Sequence, residues 1–371
     1  MTHPQVPAYG TSTLADLLPS MSAVLGLPGR PNVLHLPEAE RFVVLLVDGL
    51  GWHLLEGREA QAPFLCELRA TGRPITSGVP STTATSITSL GTGLTPGQHG
   101  IAGYTFRFGD HLLNALLWQG GLDGLDVQPQ LTMFERLTKL GVYCATVTPA
   151  RFRNTGLTTC ALRGAHFFGF AEDSTAAGRV EYAVRAATAA QQSLVYVYNR
   201  ELDHAGHKCG TASPEWTAEL TRVDALASAL RAALPEDVRL IVTGDHGMVD
   251  VPEASRLTIE RYPELVADVR LIGGEGRLRQ LYVRPGTEAA VRARWAEHLG
   301  DRACVMSRDE AFAAAWFGPV QPKLADRFGD VLVAMADDGA LMTTTQPNEF
   351  GLVGMHGSLT AAELTVPLLI G

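Results

Sequence analysis

The chain has 371 residues, 46% of them hydrophobic and 19% charged, which suits one large globular domain or two smaller ones. Its formal net charge of −9 argues against a protein that lives on nucleic-acid polymers, because that affinity comes from Lys and Arg displacing counterions. No stretch is long and apolar enough to span a bilayer, and Met1 to Arg30 lacks a basic segment followed by an apolar run, so no membrane partner is expected and a cytoplasmic location is.

Residues 1–40 are rich in Pro, Gly and small side chains and are expected to wrap a sheet edge. Phe42 to Val47 is near-continuous Val and Leu, the pattern of a parallel strand covered on both faces, and it runs directly into Asp48-Gly49. Gly78 to Gly93 reads as a loop entering a helix, with Ser and Thr at the N-cap and Ala84, Ile87 and Leu90 on the buried side. A helix is expected over Leu131 to Leu140, a strand over Val142 to Val147, and an Ala-rich helix over Ala176 to Gln191. A strand from Leu194 to Tyr198 then leads to Asp203 and His207. Glu215 to Leu234 is the clearest amphipathic helix, with Trp216, Leu220, Val223, Leu230 and Leu234 near one stripe. Leu240 to Thr243 is a short buried strand ending at Gly244-Asp245-His246, and Phe350 to Met355 delivers His356. The five cysteines, Cys66, Cys144, Cys160, Cys209 and Cys304, form no C-x-x-C pair and read as reduced small hydrophobes.

Strand and helix alternating in this way imply an α/β fold, a mostly parallel central sheet with helices on both faces. The segment from about 255 to 322 differs, with a strand near Arg279 to Arg284 and a helix at Ala289 to Leu299 that places Val291, Trp295 and Leu299 on one side. It reads as a small α+β cap inserted between two parts of a catalytic core, 1–254 and 323–371, with the chain rejoining the main sheet near Asp330 to Val333.

One design recurs four times: an apolar run ends at a side chain able to bind metal, so that strand ends bring three carboxylates and three imidazoles to one edge of one sheet, where open α/β sheets place ligands. Asp203, His207 and His356 would form one set, and Asp48, Asp245 and His246 the other. Mixed nitrogen and oxygen donors suit zinc, with manganese as the alternative, better than magnesium or calcium. Two divalent ions bring about +4 and the three carboxylates about −3, leaving roughly one positive charge for one anionic ester. That balance suits a diester; a monoester would want another cation, and no Arg or Lys lies between Gly78 and Tyr104. The nucleophile would come from the Ser/Thr cluster at the helix start, where backbone amides stabilise phosphoryl oxygens. On the residues alone Thr82 and Thr83 both qualify, and either also serves as an N-cap.

Asp48-Gly49, the Thr83 to Gly100 segment ending Thr92-Gly93-x-x-Pro96-x-x-His99-Gly100, Asp203-x-x-Gly206-His207, Gly244-Asp245-His246-Gly247 and His356-Gly357 appear in order. Together they resemble the type I phosphodiesterase/nucleotide pyrophosphatase branch of the alkaline phosphatase superfamily, whose fold is an α/β/α sandwich. The resemblance implies Thr83 as covalent nucleophile, since the family's Thr stands nine residues before its Thr-Gly pair, two zinc ions on the six ligands above, and a small-molecule phosphate ester as substrate. It also implies a role near the leaving group or the base for Tyr198, which is otherwise a core strand aromatic. The family's Phe-Pro-Asn after the nucleophile is replaced here by Ala84-Thr85-Ser86. Its phosphoryl-binding Asn is replaced by Tyr104, a bulkier donor that reshapes the pocket.

The resemblance thus implies hydrolysis of phosphodiester or pyrophosphate bonds, of nucleotide type, through a phospho-threonine. A phosphonoacetate-hydrolase-like enzyme cleaving carbon–phosphorus bonds shares the Thr and the ligand set and is the alternative, followed by a metal-binding module without catalysis. A sulfatase would need Cys-x-Pro-x-Arg, which Cys66-Glu-Leu-Arg69 lacks. His204 reads as solvent-facing or as support for a ligand, and His53, His99 and His166 have no evident partner. Phe106, Phe108, Trp118, Phe167 and Phe168 read as core, with nucleobase stacking as the alternative.

Overall fold

A computed structural model describes residues 4–118, 121–172 and 174–371. The apolar run after Arg41 forms β1 (Arg41–Val47), followed in the same sheet by β2 (Arg73–Thr76), β3 (Tyr143–Pro149), β4 (His166–Phe170), β5 (Ser193–Asn199) and β6 (Val238–Gly244). A second module contributes β7 (Val269–Glu275), β8 (Leu278–Val283), β9 (Ala303–Ser307) and β10 (Val331–Met335), and the chain ends in β11 (Thr365–Ile370). The central sheet has seven strands in the order β2-β11-β6-β1-β5-β3-β4. Strand β1 runs parallel to β5 and β6, and β3 runs parallel to β4 and β5. Only β11 is antiparallel to its neighbours β2 and β6.

Because side chains alternate along a strand, β1 needs cover on both faces. Val43, Leu45 and Val47 pack with Trp216, Leu220, Val223 and Leu230 of the helix Pro214–Ala233, whose first turn is capped by the Ser213 hydroxyl accepting the Trp216 amide at 3.1 Å. Phe42, Val44 and Leu46 pack on the opposite side with Leu14, Leu17, Leu90 and Phe134. The segment before β1 therefore does more than skirt an edge: Thr13 bridges Thr76 of the edge strand, and the helix Leu17–Val24 covers a face. The result is the α/β/α sandwich expected of the sequence.

In the second module the strands run in the order β7-β8-β10-β9, all antiparallel, with Val291, Trp295 and Leu299 of the helix Glu288–Leu299 buried against them. This corrects one expectation. Residues Asp330 to Val333 do not return to the central sheet, because β10 pairs Val333 with Arg279 of β8 and with Val305 of β9. Five buried residues in a row satisfy either sheet, so the pattern alone does not choose between them. The main sheet is regained only at β11.

The helix Thr83–Thr92 is buried along its whole length and stops at Gly93, whose φ of 65° gives a left-handed cap. It leans on the helix Gly156–Leu162 so closely that a Cβ at Gly91 would lie 1.9 Å from the Ala161 carbonyl oxygen. Gly91→Ala should therefore cost about 1–3 kcal/mol by overpacking, read as a lower urea midpoint.

His99, which ends the short helix Pro96–His99, is fully enclosed. Its Nδ1 accepts the Ile101 amide at 3.1 Å and its Nε2 donates to the Ser89 hydroxyl, 2.9 Å away. Burial, then the nearby Arg327 charge, pushes its pKa down to about 3. The unfolded chain thus binds a proton that the folded chain refuses, and stability present above the ordinary histidine value of 6.5 is lost as pH falls toward about 3. Denaturation midpoints should fall with acid through that window, and His99→Gln should flatten the dependence.

Candidate active site

Val47 is in register with Asn199 on one side and Gly244 on the other, so three strands release the chain at one level. Asp48 follows β1 directly, Asp245 and His246 follow β6, and the chain leaving β5 turns at once into the helix Glu201–Cys209 that carries Asp203 and His207. Four residues apart on a helix, these two share a face, with Asp203 Oδ1 at 3.4 Å from His207 Nε2. Tight backbone contact fixes the Asp-His loop, since a Cβ at Gly247 would meet the Ala362 carbonyl oxygen at 1.9 Å.

His356 arrives by a different route, and the expectation of four strand ends on one sheet is corrected to three. Pro347–Gly351 forms a 3₁₀ turn and only Gly354–Met355 is extended, pairing with Val249–Asp250 rather than with the central sheet. The place beside β6 is already taken by β11, so this segment pairs with the short strand that follows the Asp-His loop.

The six side chains converge in two trios. Asp203, His207 and His356 form one, and Asp48, Asp245 and His246 the other, with the ligand atoms of each trio all within 4.8 Å of one another. The trios adjoin: the His246 and His356 rings stack with centroids 3.6 Å apart. Each imidazole donates Nδ1–H to a backbone carbonyl, His207 to Gly354 at 2.8 Å, His246 to Gly247 at 2.9 Å and His356 to Ser81 at 2.8 Å. That fixes the tautomer and turns every Nε2 lone pair toward the trios, the arrangement that metal-ligating histidines adopt. Asp203 Oδ1 and Asp245 Oδ2 are buried with no hydrogen-bond partner among the described residues, and His207 Nε2 faces His356 Nε2 at 3.3 Å. Orphaned carboxylate oxygens and opposed lone pairs are costly unless a cation lies among them, so these residues fit two divalent ions.

The electrostatics follow from the same crowding. Burial and the neighbouring Asp48 charge hold the Asp245 carboxyl well above the usual range, and burial, only partly offset by His207, pushes Asp203 up to about 6. Asp48 is likewise penalised by burial, but the adjacent His246 imidazole and the hydrogen bond from Tyr198 bring it below the ordinary carboxylate value. Burial and the adjacent imidazoles keep His356 neutral.

Thr82 is the N-cap residue and Thr83 the first residue of the helix Thr83–Thr92. Their hydroxyls point to different places. Thr83 Oγ1 lies 3.2 Å from His246 Nε2 and 3.4 Å from Asp48 Oδ1, whereas Thr82 Oγ1 donates to Glu275 Oε2 at 3.2 Å. Tyr198 donates its hydroxyl proton to Asp48 Oδ2, and Tyr104 stands in the cavity wall.

The site opens into a cavity of about 520 Å³ whose apolar wall includes Ile87, Leu116, Phe152, Leu157 and Leu162. Tyr104 and Leu116 flank the hairpin Thr105–Phe108/His111–Asn114, an element the sequence reading did not anticipate. None of Phe106, Phe108, Trp118, Phe167 and Phe168 lines this cavity; Phe106 is core. His204 is exposed at the cavity mouth, His53 pairs with Glu56 on the surface, and His166 stacks on Tyr143. Four charged residues in the wall were missed: Glu275, Glu349, Arg151 and Arg200. Glu275 comes from β7 of the second module, and its Oε2 lies 3.5 Å from His356 Nδ1. Its only sequence signal is an isolated acid between glycines, Gly274 and Gly276. The arginines stand just beyond β3 and β5, close to residues that the sequence did single out.

A family model described as type I phosphodiesterase/nucleotide pyrophosphatase matches residues 42–359. Among solved structures the chain is similar to murine ectonucleotide pyrophosphatase/phosphodiesterase 5, seen as an inactive variant in complex with AMP, at 17% identity over 89% of this chain and 87% of that one, TM-score 0.70. The human counterpart gives 17% identity, the same coverages and a TM-score of 0.70. Phosphonoacetate hydrolase from Sinorhizobium meliloti 1021, in complex with phosphonoformate, is similar at 18% identity over 90% of each chain, TM-score 0.68. At these identities the structural likeness establishes the shared fold, and the family match spans most of the chain. The chain therefore belongs to the type I phosphodiesterase/nucleotide pyrophosphatase family of phosphoric-ester hydrolases.

Proposed function

We propose that this protein hydrolyses phosphodiester or pyrophosphate bonds of small, nucleotide-type substrates by two displacements at Thr83. One divalent ion would be held by Asp203, His207 and His356 and the other by Asp48, Asp245 and His246, with Zn²⁺ as the preferred ion and Mn²⁺ as the alternative. The observation that carries the reading is the Thr83 hydroxyl, 3.2 Å from His246 Nε2 at the edge of one donor trio and at the start of a helix. Bound at these trios, divalent ions supply the positive charge that makes a threonine hydroxyl acidic and stabilises oxygens on both sides of phosphorus.

The chain's own groups do the rest. Thr83 gives up its hydroxyl proton to solvent and its Oγ forms a bond to phosphorus as the bond to the leaving oxygen breaks, and the departing alcohol or phosphate keeps that electron pair and takes a proton from solvent. Water then adds to phosphorus, the bond to Thr83 Oγ breaks, and Thr83 regains its proton. Amides at the start of the Thr83–Thr92 helix donate to the phosphoryl oxygens. Tyr104 supplies a further donor from the wall, and Tyr198 acts on the reaction through Asp48, to which its proton is committed. Glu275 keeps Thr82 turned away from the trios, leaving Thr83 as the nucleophile.

Thr83→Ala should lower turnover of bis(4-nitrophenyl) phosphate by about 10³-fold or more while retaining bound metal by elemental analysis, and Thr83→Ser should keep measurable turnover. Wild-type rates in Thr83→Ala would refute the assignment.

Acid should also compete with metal. In the metal-free protein the raised Asp203 value of about 6, against 3.8 for the ordinary group, means that the fold binds a proton the unfolded chain releases. That group's contribution to stability is present at low pH and declines as pH rises from about 4 to about 6. Adding Zn²⁺ to chelator-treated protein should raise the melting temperature, and the rise should shrink as pH drops through about 6, because a proton must leave first.

A further inference from the structure

Arg200 stands between the last residue of β5, Asn199, and the helix that carries Asp203 and His207. It lines the cavity together with Asp203, His204 and His207. Its Nε is buried and has no hydrogen-bond partner. The neighbouring acid, Glu201, is committed to Arg179 at 2.7 Å, which leaves Arg200 without an ion pair among the described residues. Arg200 is partly buried in the wall of this cavity, and a guanidinium with no direct ion pair is available to a bound anion.

A second cation faces the same space. Arg151, just beyond β3, lines the cavity, although its guanidinium also reaches the half-exposed Glu172 at 2.8 Å. Both arginines line the cavity together with the exposed His204. Two guanidiniums thus share one cavity wall, in a chain that is acidic as a whole.

We propose that Arg200, supported by Arg151, is a specificity-determining anion subsite that receives a second negative group, a phosphate or a carboxylate, on the leaving portion of the substrate. This rests on the hydrolase reading given above. The side is set by the helix Glu201–Cys209, since Arg200 precedes Asp203 and His207, and the Thr83 hydroxyl approaches from the other trio. Charge balance points the same way. Two divalent ions and three carboxylates leave about one positive charge; Arg200 raises that to about two, since Arg151 is shared with Glu172, and that is more than a simple diester needs. A diester whose leaving group carries its own phosphate or carboxylate uses the surplus, and a guanidinium recognises either anion through paired N–H donors.

The alternative role for Arg200 is structural: its charge also favours ionisation of Asp203. A test that separates the two compares zinc-loaded wild type, Arg200→Gln and Arg200→Lys on three substrates. These are bis(4-nitrophenyl) phosphate, whose leaving group has no second anion, a nucleoside triphosphate, which releases diphosphate, and phosphonoacetate, which presents a carboxylate. The subsite predicts that Arg200→Gln loses at least about tenfold in kcat/KM on the nucleoside triphosphate, on phosphonoacetate or on both. It should change little on the neutral-armed diester, and Arg200→Lys should recover part of the loss. Which anionic substrate suffers distinguishes phosphate from carboxylate. Equal losses on all three substrates would assign Arg200 to the support of Asp203 and overturn the proposal, as would no loss on any. If wild type turns over none of the three, the hydrolase reading fails by itself. Calorimetric binding of inorganic diphosphate and of phosphonoacetate then still decides the subsite, and unchanged affinities in Arg200→Gln would overturn it.

Discussion

Concentrated negative charge is the constraint on which this structure depends. Asp48, Asp203 and Asp245 emerge beside one another at level strand ends, and two of them keep a buried oxygen without a partner. No fold holds three carboxylates this way without either neutralising them or supplying cations. Here the surroundings are arranged for cations. Three backbone carbonyls lock three imidazoles in the tautomer that directs Nε2 inward, and glycines let the Asp-His loop lie against neighbouring backbone with no Cβ between.

The second module completes that arrangement rather than standing apart from it. Strand β7 sends Glu275 to His356 and Thr82, so the wall opposite the sheet contains a residue from the insertion. Two buried ion pairs tie the modules together: Arg277 donates to both oxygens of Glu363 at 3.0 and 2.8 Å, and Arg279 pairs with Glu349. Glu363 also accepts the Ser358 amide at 3.0 Å, two residues beyond His356. Such pairs add little net stability compared with apolar packing, but removing one partner strands the other. They therefore resist alternative placements of the module and hold the His356 segment in register with the site.

The cavity has two chemistries, and each follows from its source. Apolar residues from the Gly156–Leu162 helix and from the chain around the Thr105–Asn114 hairpin make one wall. Arginines from just beyond β3 and β5 line the same cavity, Arg200 directly before the helix that carries Asp203 and His207. Apolar side chains and guanidiniums therefore stand in the wall of one cavity.

Much of this was legible in the chain itself. Near-continuous apolar runs that stop at Asp48 and Asp245 mark parallel strands because only strands covered on both faces tolerate such sequences, and the Asp203/His207 spacing needs nothing beyond helical periodicity. These are local properties, written in the order of residues. Three matters were decided only by tertiary structure. Thr82 and Thr83 are equivalent by residue type, and although the family resemblance points to Thr83, where each hydroxyl lies is set by the turn into the helix, one toward His246 and one toward Glu275. Val331–Met335 suits either sheet by pattern, and its partner was set by antiparallel register with β8 and β9. Arg151, Arg200 and Glu275 carry no distinctive signal along the chain, since a lone charge beside a strand or between glycines is ordinary. Their meaning arises when loops distant in sequence enclose one cavity, and that convergence depends on which strand pairs with which, a long-range choice that local composition does not encode.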